Sequence, residues 1–194
     1  MERFLSKPSI LEAGCDEAGR GPLAGPVYAA AVILPRDFHL PGLNDSKKLN
    51  EEIRLQLEKD IQAQAIAWAV AFCTAAEIDH YNILQASILA MHRALEQLQP
   101  QPEFIAVDGN RFKPYPFVPY QCVVKGDAKV AGIAAASILA KNERDRVMQN
   151  LAAQYPGYGW ERNMAYPTPE HIRALQELGP TLEHRKSFVV KKRL

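Results

Sequence analysis

One stretch, Gly14-Cys15-Asp16-Glu17-Ala18-Gly19-Arg20-Gly21-Pro22, constrains this chain more than any other. Two adjacent carboxylates are followed by Gly-Arg-Gly and then by a proline that forbids regular continuation. The preceding residues, Ile10 to Cys15, are short and partly apolar and read as a strand. Neighbouring side chains on a strand point to opposite faces, so Asp16 and Glu17 cannot both aim at one point from a flat strand. The glycines can break that geometry, because glycine reaches positive φ at little steric cost. A strand end carrying acids and a cation suits metal ions and a phosphate; an ordinary turn rich in Asp, Glu, Gly and Pro is the plainer alternative.

A glycine-rich cofactor loop competes for the same residues. Gly19, Gly21 and Gly25 are spaced one residue too long for the dinucleotide fingerprint, with Pro22 inside. No G-x-x-x-x-G-K-[ST] occurs, which excludes a P-loop. An acidic pair ahead of the glycines would repel a pyrophosphate unless a cation lay between.

Downstream, Val27 to Leu34 reads as a buried strand that pairs antiparallel with the first. Asn50 is placed to cap a helix whose apolar face is Ile53, Leu57 and Ile61. Ile66, Trp68, Val70 and Phe72 alternate with alanines as in a strand. Thr74 and Glu77 form a capping box, and Leu84, Ile88, Met91, Leu95 and Leu98 continue one helical face to Pro100. Phe104 to Val107 is a short strand running into Asp108-Gly109, and Gln121 to Val124 another, ending at Lys125-Gly126-Asp127. Asp127 is placed to cap a long helix through Gln154, which opens on small residues. Thr168-Pro169 starts the last helix and Gly179-Pro180 stops it. Interleaved strands and helices after an initial strand pair predict an α/β fold with a mixed sheet and a C-terminal helical appendage. We expect one domain over 1–194, with a core of about 8–150 and a helical, basic extension of about 151–194.

Composition closes off several classes. The chain is 47% hydrophobic, yet no apolar run approaches the ~18 residues of a membrane span, and the N-terminus lacks a signal-peptide core. Cys15, Cys73 and Cys122 are odd in number and widely spaced, so we read reduced, strand-borne residues of a cytoplasmic protein, which we expect to be a monomer. Net charge is +1, which is not that of a nucleic-acid coat. The stretch 184–193 nevertheless carries five formal positive charges and no acid, and could rest on phosphates.

Asp16 with Glu17, Asp108 and Asp127 all lie where a strand ends and a glycine-containing turn begins, the place where open α/β sheets gather ligands. Four acids converging there would repel one another without cations. Oxygen-only ligands favour Mg²⁺ or Mn²⁺, and two such ions suit in-line phosphodiester hydrolysis. A non-catalytic nucleic-acid-binding module and a small-molecule phosphatase are the other readings. The acids argue against the first, and the aromatic and basic loops spread along the chain argue against the second.

The motif Gly14-x-Asp16-Glu17-Ala18-Gly19-Arg20-Gly21-Pro22 resembles the signature of type 2 ribonuclease H, in particular bacterial ribonuclease HII. So do Asp45 to Leu49, Val107-Asp108-Gly109, Lys125 to Lys129, Ala135 to Lys141, Arg144-Asp145, Tyr155 to Gly159, and His184-Arg185-x-Ser187-Phe188, in the expected order over essentially the whole chain. The resemblance implies a ribonuclease H-like mixed sheet flanked by helices, with a C-terminal helical extension. It implies two-metal cleavage of RNA in RNA–DNA hybrids and of DNA duplexes containing ribonucleotides, in the service of primer removal or ribonucleotide repair. By position, Asp16, Glu17, Asp108 and Asp127 match the metal-binding acids. Gly19-Arg20-Gly21 matches the segment that reads the ribose 2′-hydroxyl, and Tyr166 the ring beside the neighbouring sugar. Lys47, Lys48 and Ser137 are expected to contact phosphate. The family's usual Lys-Gly before that tyrosine is here Met164-Ala165, and the C-terminus shows no sliding-clamp motif.

Overall fold

The computed structural model describes residues 1–44, 46 and 49–188. Among these residues five strands, β1 (Glu12–Ala18), β2 (Val27–Ile33), β3 (Ala67–Cys73), β4 (Phe104–Asp108) and β5 (Tyr120–Val123), form one sheet in the order β3-β2-β1-β4-β5. β1, β2 and β3 pair antiparallel, whereas β4 and β5 run parallel to β1. The sheet is therefore mixed, as the sequence predicts. Six helices among the described residues accompany it: α1 (Glu51–Gln64), α2 (Ala75–Tyr81), α3 (Ile83–Glu96), α4 (Ala131–Gln154), α5 (Trp160–Asn163) and α6 (Pro169–Leu178). None of them is long and apolar enough to cross a membrane.

Each sheet face buries its own core. Ala13, Cys15, Ile105 and Val107 face α3, packing with Ala90, Met91 and Leu95. The opposite face receives α4. Ala30 and Val32 pack with Ala135, Ile138 and Leu139, and Ala106 packs with Ile133. The small residues that open α4 let it lie almost on the backbone of β1: a Cβ on Gly14 would stand 2.0 Å from the carbonyl carbon of Gly132. A third cluster joins the C-terminal half of α4 to the final helices, with Met148, Tyr158, Trp160, Ala165 and Ala174 around Ala24.

Local signals explain most boundaries. Asn50 caps α1 by accepting from Ile53 N–H, and Thr74 and Glu77 complete their capping box on α2. Three expectations are corrected. The stretch from Ala75 to Glu96 is two helices, broken at Asn82. That residue adopts φ +67° and turns its side chain to accept from Leu84 and Gln85 N–H, restarting the helix on a new axis. Ile53 is exposed; the buried face of α1 is Leu57, Glu58 and Ile61, because Glu58 accepts from Asn142 on α4. Asp127 does not cap α4, whose cap position is Val130 without a side-chain hydrogen bond; it lies instead in a short 3-10 turn over Gly126–Ala128. The cysteines are free and sit on β1, β3 and β5.

Candidate active site

β1 continues through both acids, so Asp16 and Glu17 do project to opposite sheet faces. Asp16 shares its face with Gly14 and is directed towards α4, where it is buried. Glu17 shares its face with Cys15, towards α3. The parallel register pairs Cys15 with Val107, which sets Asp108 beside Asp16 on the neighbouring strand, about 5 Å across the ladder. The three carboxylates thus gather at the carboxyl ends of two central parallel strands, the place where ligands collect in such sheets.

Each acid is held. Asp16 Oδ1 accepts from Glu17 N–H at 2.7 Å, and Ser137 donates its hydroxyl to the same carboxylate. Ser46 stands 2.9 Å from Ser137, so a short hydroxyl relay runs Ser46 to Ser137 to Asp16. Asp108 Oδ1 accepts from Gly126 N–H at 2.7 Å, tying β4 to the turn that carries Asp127. Glu17 accepts from Arg20 at 3.2 Å. Burial first, then the negative charges of Glu17 and Asp108, push the Asp16 carboxyl well above its ordinary range, against the opposing pull of its hydrogen bonds.

One cleft is lined by Asp16, Glu17, Asp108, the segment Gly19–Gly21, Ser46, Ser137, Lys141, Arg144 and Tyr166. The structure brings all of these together, and a second cleft shares Glu17, Arg20 and Asp108 and continues towards Asn110 and Arg111. Ser137 lines the cleft and donates its hydroxyl to Asp16. Asp127 is buried behind, on its 3-10 turn, and does not line the cleft. Lys47, Lys48 and residues 189–194 of the basic tail lie outside the described residues.

Tyr166 leans over the glycine segment. A Cβ on Gly21 would stand 3.3 Å from Cε1 of its ring. The ring is carried by an unusual backbone: Met164 and Ala165 have φ +48° and +63°, the left-handed region where glycine is favoured. This is the place where the family pattern has glycine and this chain alanine. Behind it, His171 Nδ1–H donates to the Tyr166 carbonyl at 3.1 Å, and His171 Nε2 accepts from Trp160 Nε1–H at 3.0 Å. His184 Nε2 stands 3.2 Å from the same nitrogen, while its Nδ1 accepts from Thr181 N–H. Burial, and for His184 the neighbouring His171, hold both imidazoles neutral, with His184 pushed down to about 4.

Lys141, Arg144 and the histidine pair are parts whose site roles sequence reasoning did not assign. Lys141 and Arg144 stand in the Ala135–Lys141 and Arg144-Asp145 motifs, but only the fold shows that the helix carrying them forms a wall of the cleft.

The donor set is carboxylate oxygen, which fits a hard divalent cation. Repulsion among Asp16, Glu17 and Asp108 is the electrostatic counterpart of that fit, because a cation would relieve it. Among the described residues no three such side chains converge tightly enough to enclose an ion by themselves, so donor chemistry and repulsion carry the fit.

The model of the family described as Ribonuclease HII matches residues 13–192. A ribonuclease HII of Parabacteroides distasonis is 57% identical over 180 residues, covering 93% of this chain and 90% of the relative. One of Porphyromonas gingivalis is 55% identical over 188 residues, covering 97% and 93%. Among solved structures, the ribonuclease H2 of Pyrococcus horikoshii OT3 superposes with a TM-score of 0.75 at 27% identity, covering 91% of this chain and 93% of that one. With this sheet order and these acids at its strand ends, the chain belongs to the ribonuclease HII family.

Proposed function

We propose that this ribonuclease hydrolyses the RNA strand of RNA–DNA hybrids and also cuts on the 5′ side of single ribonucleotides embedded in duplex DNA. The observation that carries the reading is one cleft in which three carboxylates at the ends of two central strands adjoin a glycine segment and an aromatic ring. Asp16, Glu17 and Asp108 would hold Mn²⁺ or Mg²⁺, with Asp127 adjoining through Gly126. Such ions, when bound, supply the charge neutralisation that in-line attack of water on a phosphodiester requires.

The rest is done by the chain itself. Ser137 fixes the orientation of Asp16, and Gly126 N–H fixes that of Asp108. Lys141, paired with Asp145 at 2.5 Å, and Arg144, bonded to backbone carbonyls, lend positive charge to the cleft wall, which favours a phosphate there. Gly19–Gly21 has no side-chain bulk at its two glycines, so its backbone can approach a ribose closely, and a 2′-hydroxyl can both donate and accept. The Tyr166 ring offers a flat apolar face to the next sugar, which suits deoxyribose. Water forms the new bond to phosphorus, the bond from phosphorus to the 3′-oxygen breaks, and that oxygen leaves with a proton. The ends are a 3′-hydroxyl and a 5′-phosphate, with no cyclic phosphate, because the 2′-hydroxyl is read and does not attack. We place the enzyme in the cytoplasm, as a monomer.

Turnover on two matched duplexes tests the reading, one with a single ribonucleotide and one with an all-RNA strand, each with Mn²⁺ or Mg²⁺ and with chelator. Cleavage of both, ion-dependent and 5′ of the lone ribonucleotide, is expected. Cleavage of the all-RNA strand alone would reduce the enzyme to a hybrid-specific nuclease.

A further inference from the structure

The segment from Gly19 to Pro26 leaves β1 and enters β2 without forming a regular turn, so its backbone groups must find partners elsewhere. Its carbonyls find two buried guanidiniums. Arg185, 2% exposed, donates from Nε to Gly25 at 2.9 Å and from one terminal nitrogen to Arg20 and Pro22 at 3.1 and 2.8 Å. Its other terminal nitrogen donates to Gly19 and Pro26 at 2.7 and 3.2 Å. These are all five donors that an arginine has. Arg144 adds bonds to Pro26, Ala24 and Met164. Among the described residues neither guanidinium has a carboxylate within ion-pair distance. Gly19 is itself required, since a Cβ there would stand 2.2 Å from Arg144 Nε.

The donors of the segment are distributed differently. Leu23 N–H goes to Ala165 and Gly25 N–H to Glu183. The N–H groups of Gly19, Arg20 and Gly21, three residues that line the cleft, make no hydrogen bond among the described residues. Acceptors are drawn inward, and three adjacent donors of the segment are left without a partner among the described residues. Arg185 is fixed in turn through the next two residues of the chain. Asp79 on α2 accepts from Lys186 N–H at 3.0 Å, Ser187 N–H at 2.8 Å and Ser187 Oγ–H at 2.6 Å.

We infer that Arg185, braced through Asp79, is a positioning residue for ribose recognition, setting the backbone of Gly19–Gly21 so that its free amides meet the 2′-hydroxyl. This rests on the reading that the segment contacts ribose. Lysine keeps the charge of Arg185 but has three donors on one atom and cannot span five carbonyls. Among the described residues Asp79 accepts from Lys186 and Ser187 and from no cleft residue, so its effect travels through the 185–187 turn.

The test is binding by the full chain, without divalent ions, to a duplex with one ribonucleotide and to the same duplex in all-DNA form. The ratio of the two affinities measures 2′-hydroxyl recognition alone, because loss of folded protein scales both affinities equally. We expect Arg185→Lys to shrink that ratio at least fivefold with all-DNA affinity unchanged, and Asp79→Ala to shrink it about twofold to threefold. A wild-type-like ratio in folded Arg185→Lys overturns the inference. If Arg185→Lys does not fold, an unchanged ratio in Asp79→Ala overturns it instead. Failure of the underlying reading looks different, since the wild-type chain itself would then leave the lone-ribonucleotide duplex uncut.

Discussion

Gly14→Ala should damage both stability and catalysis, and the size of the effect can be worked from one contact. The new Cβ would lie 2.0 Å from Gly132 C, 2.3 Å from Ile133 N and 2.4 Å from Gly132 O, all backbone of α4. Ordinary contact begins at 3.4 Å, so strand and helix must part by up to about 1.4 Å, the difference of those two distances. Forced separation of a packed core costs about 1–3 kcal/mol and sometimes more. Relief from the unfolded-state entropy of glycine offsets about 0.5–1 kcal/mol. Contacts as short as 2.0 Å to backbone put the cost at the upper end, so a net loss of about 2 kcal/mol is expected, which lowers the melting temperature by about 4–8 °C in a chain of this size. Catalysis should suffer more. Asp16 lies two residues along the same face and meets Ser137 on that same helix, and a displacement of about 1 Å at reacting groups can cost about 100-fold. Gly132→Ala is the matched control: its Cβ would approach Gly14 no closer than 3.2 Å, so stability within about 1 kcal/mol of the parent is expected, helped by the better helix propensity of alanine. Thermal unfolding and steady-state turnover of the two variants decide the matter. If Gly14→Ala melts with the parent and turns over normally, the strand–helix spacing does not set the geometry of the acids.

Asp16→Asn should abolish cleavage yet raise the melting temperature at pH 7 in chelator. The folded carboxyl sits well above its ordinary range, so folded protein keeps a proton that the unfolded chain releases, and stability falls as pH rises above about 4; an equal or lower melting temperature would contradict the repulsion. His184 has the opposite sign. Its folded value of about 4 against 6.5 unfolded means stability is lost as pH falls through that window, by roughly 3 kcal/mol; denaturant titrations of the parent and His184→Gln from pH 7 to 4 should diverge accordingly. Lys141→Ala should weaken all duplexes about equally and lower the salt slope of log K by about one, whereas an unchanged slope would move the phosphate path elsewhere.

Much of this could be read from residue types in order. Thr74 with Glu77, Asn50 before its acids, and alternation through Trp68 and Phe72 are local signals, and the structure answers each locally. Asp16, Glu17 and Asp108 could be placed at strand ends for the same reason. The failures share a cause. Asn82 breaks a helix because it can both cap and adopt φ +67°, a choice made by packing of α3 on the sheet. Asp127 looks like a cap until the chain supplies a 3-10 turn before α4. Arg185 carries five bonds to carbonyls some 160 positions away, and no window of sequence contains both ends of such a contact.

Helix α4 touches the acids at one end and the segment from Gly19 to Pro26 at the other. Gly132 packs on β1 and Ser137 holds Asp16, while Arg144 grips the carbonyls beyond Gly19. A helix advances about 1.5 Å and turns about 100° per residue. A single inserted or deleted residue between Ser137 and Arg144 would therefore swing the guanidinium about a quarter turn away from its carbonyls, whatever the residue was. Descendants of this chain can exchange side chains along that interval within the limits of packing, but its length is an inherited ruler that natural variation should leave uncut.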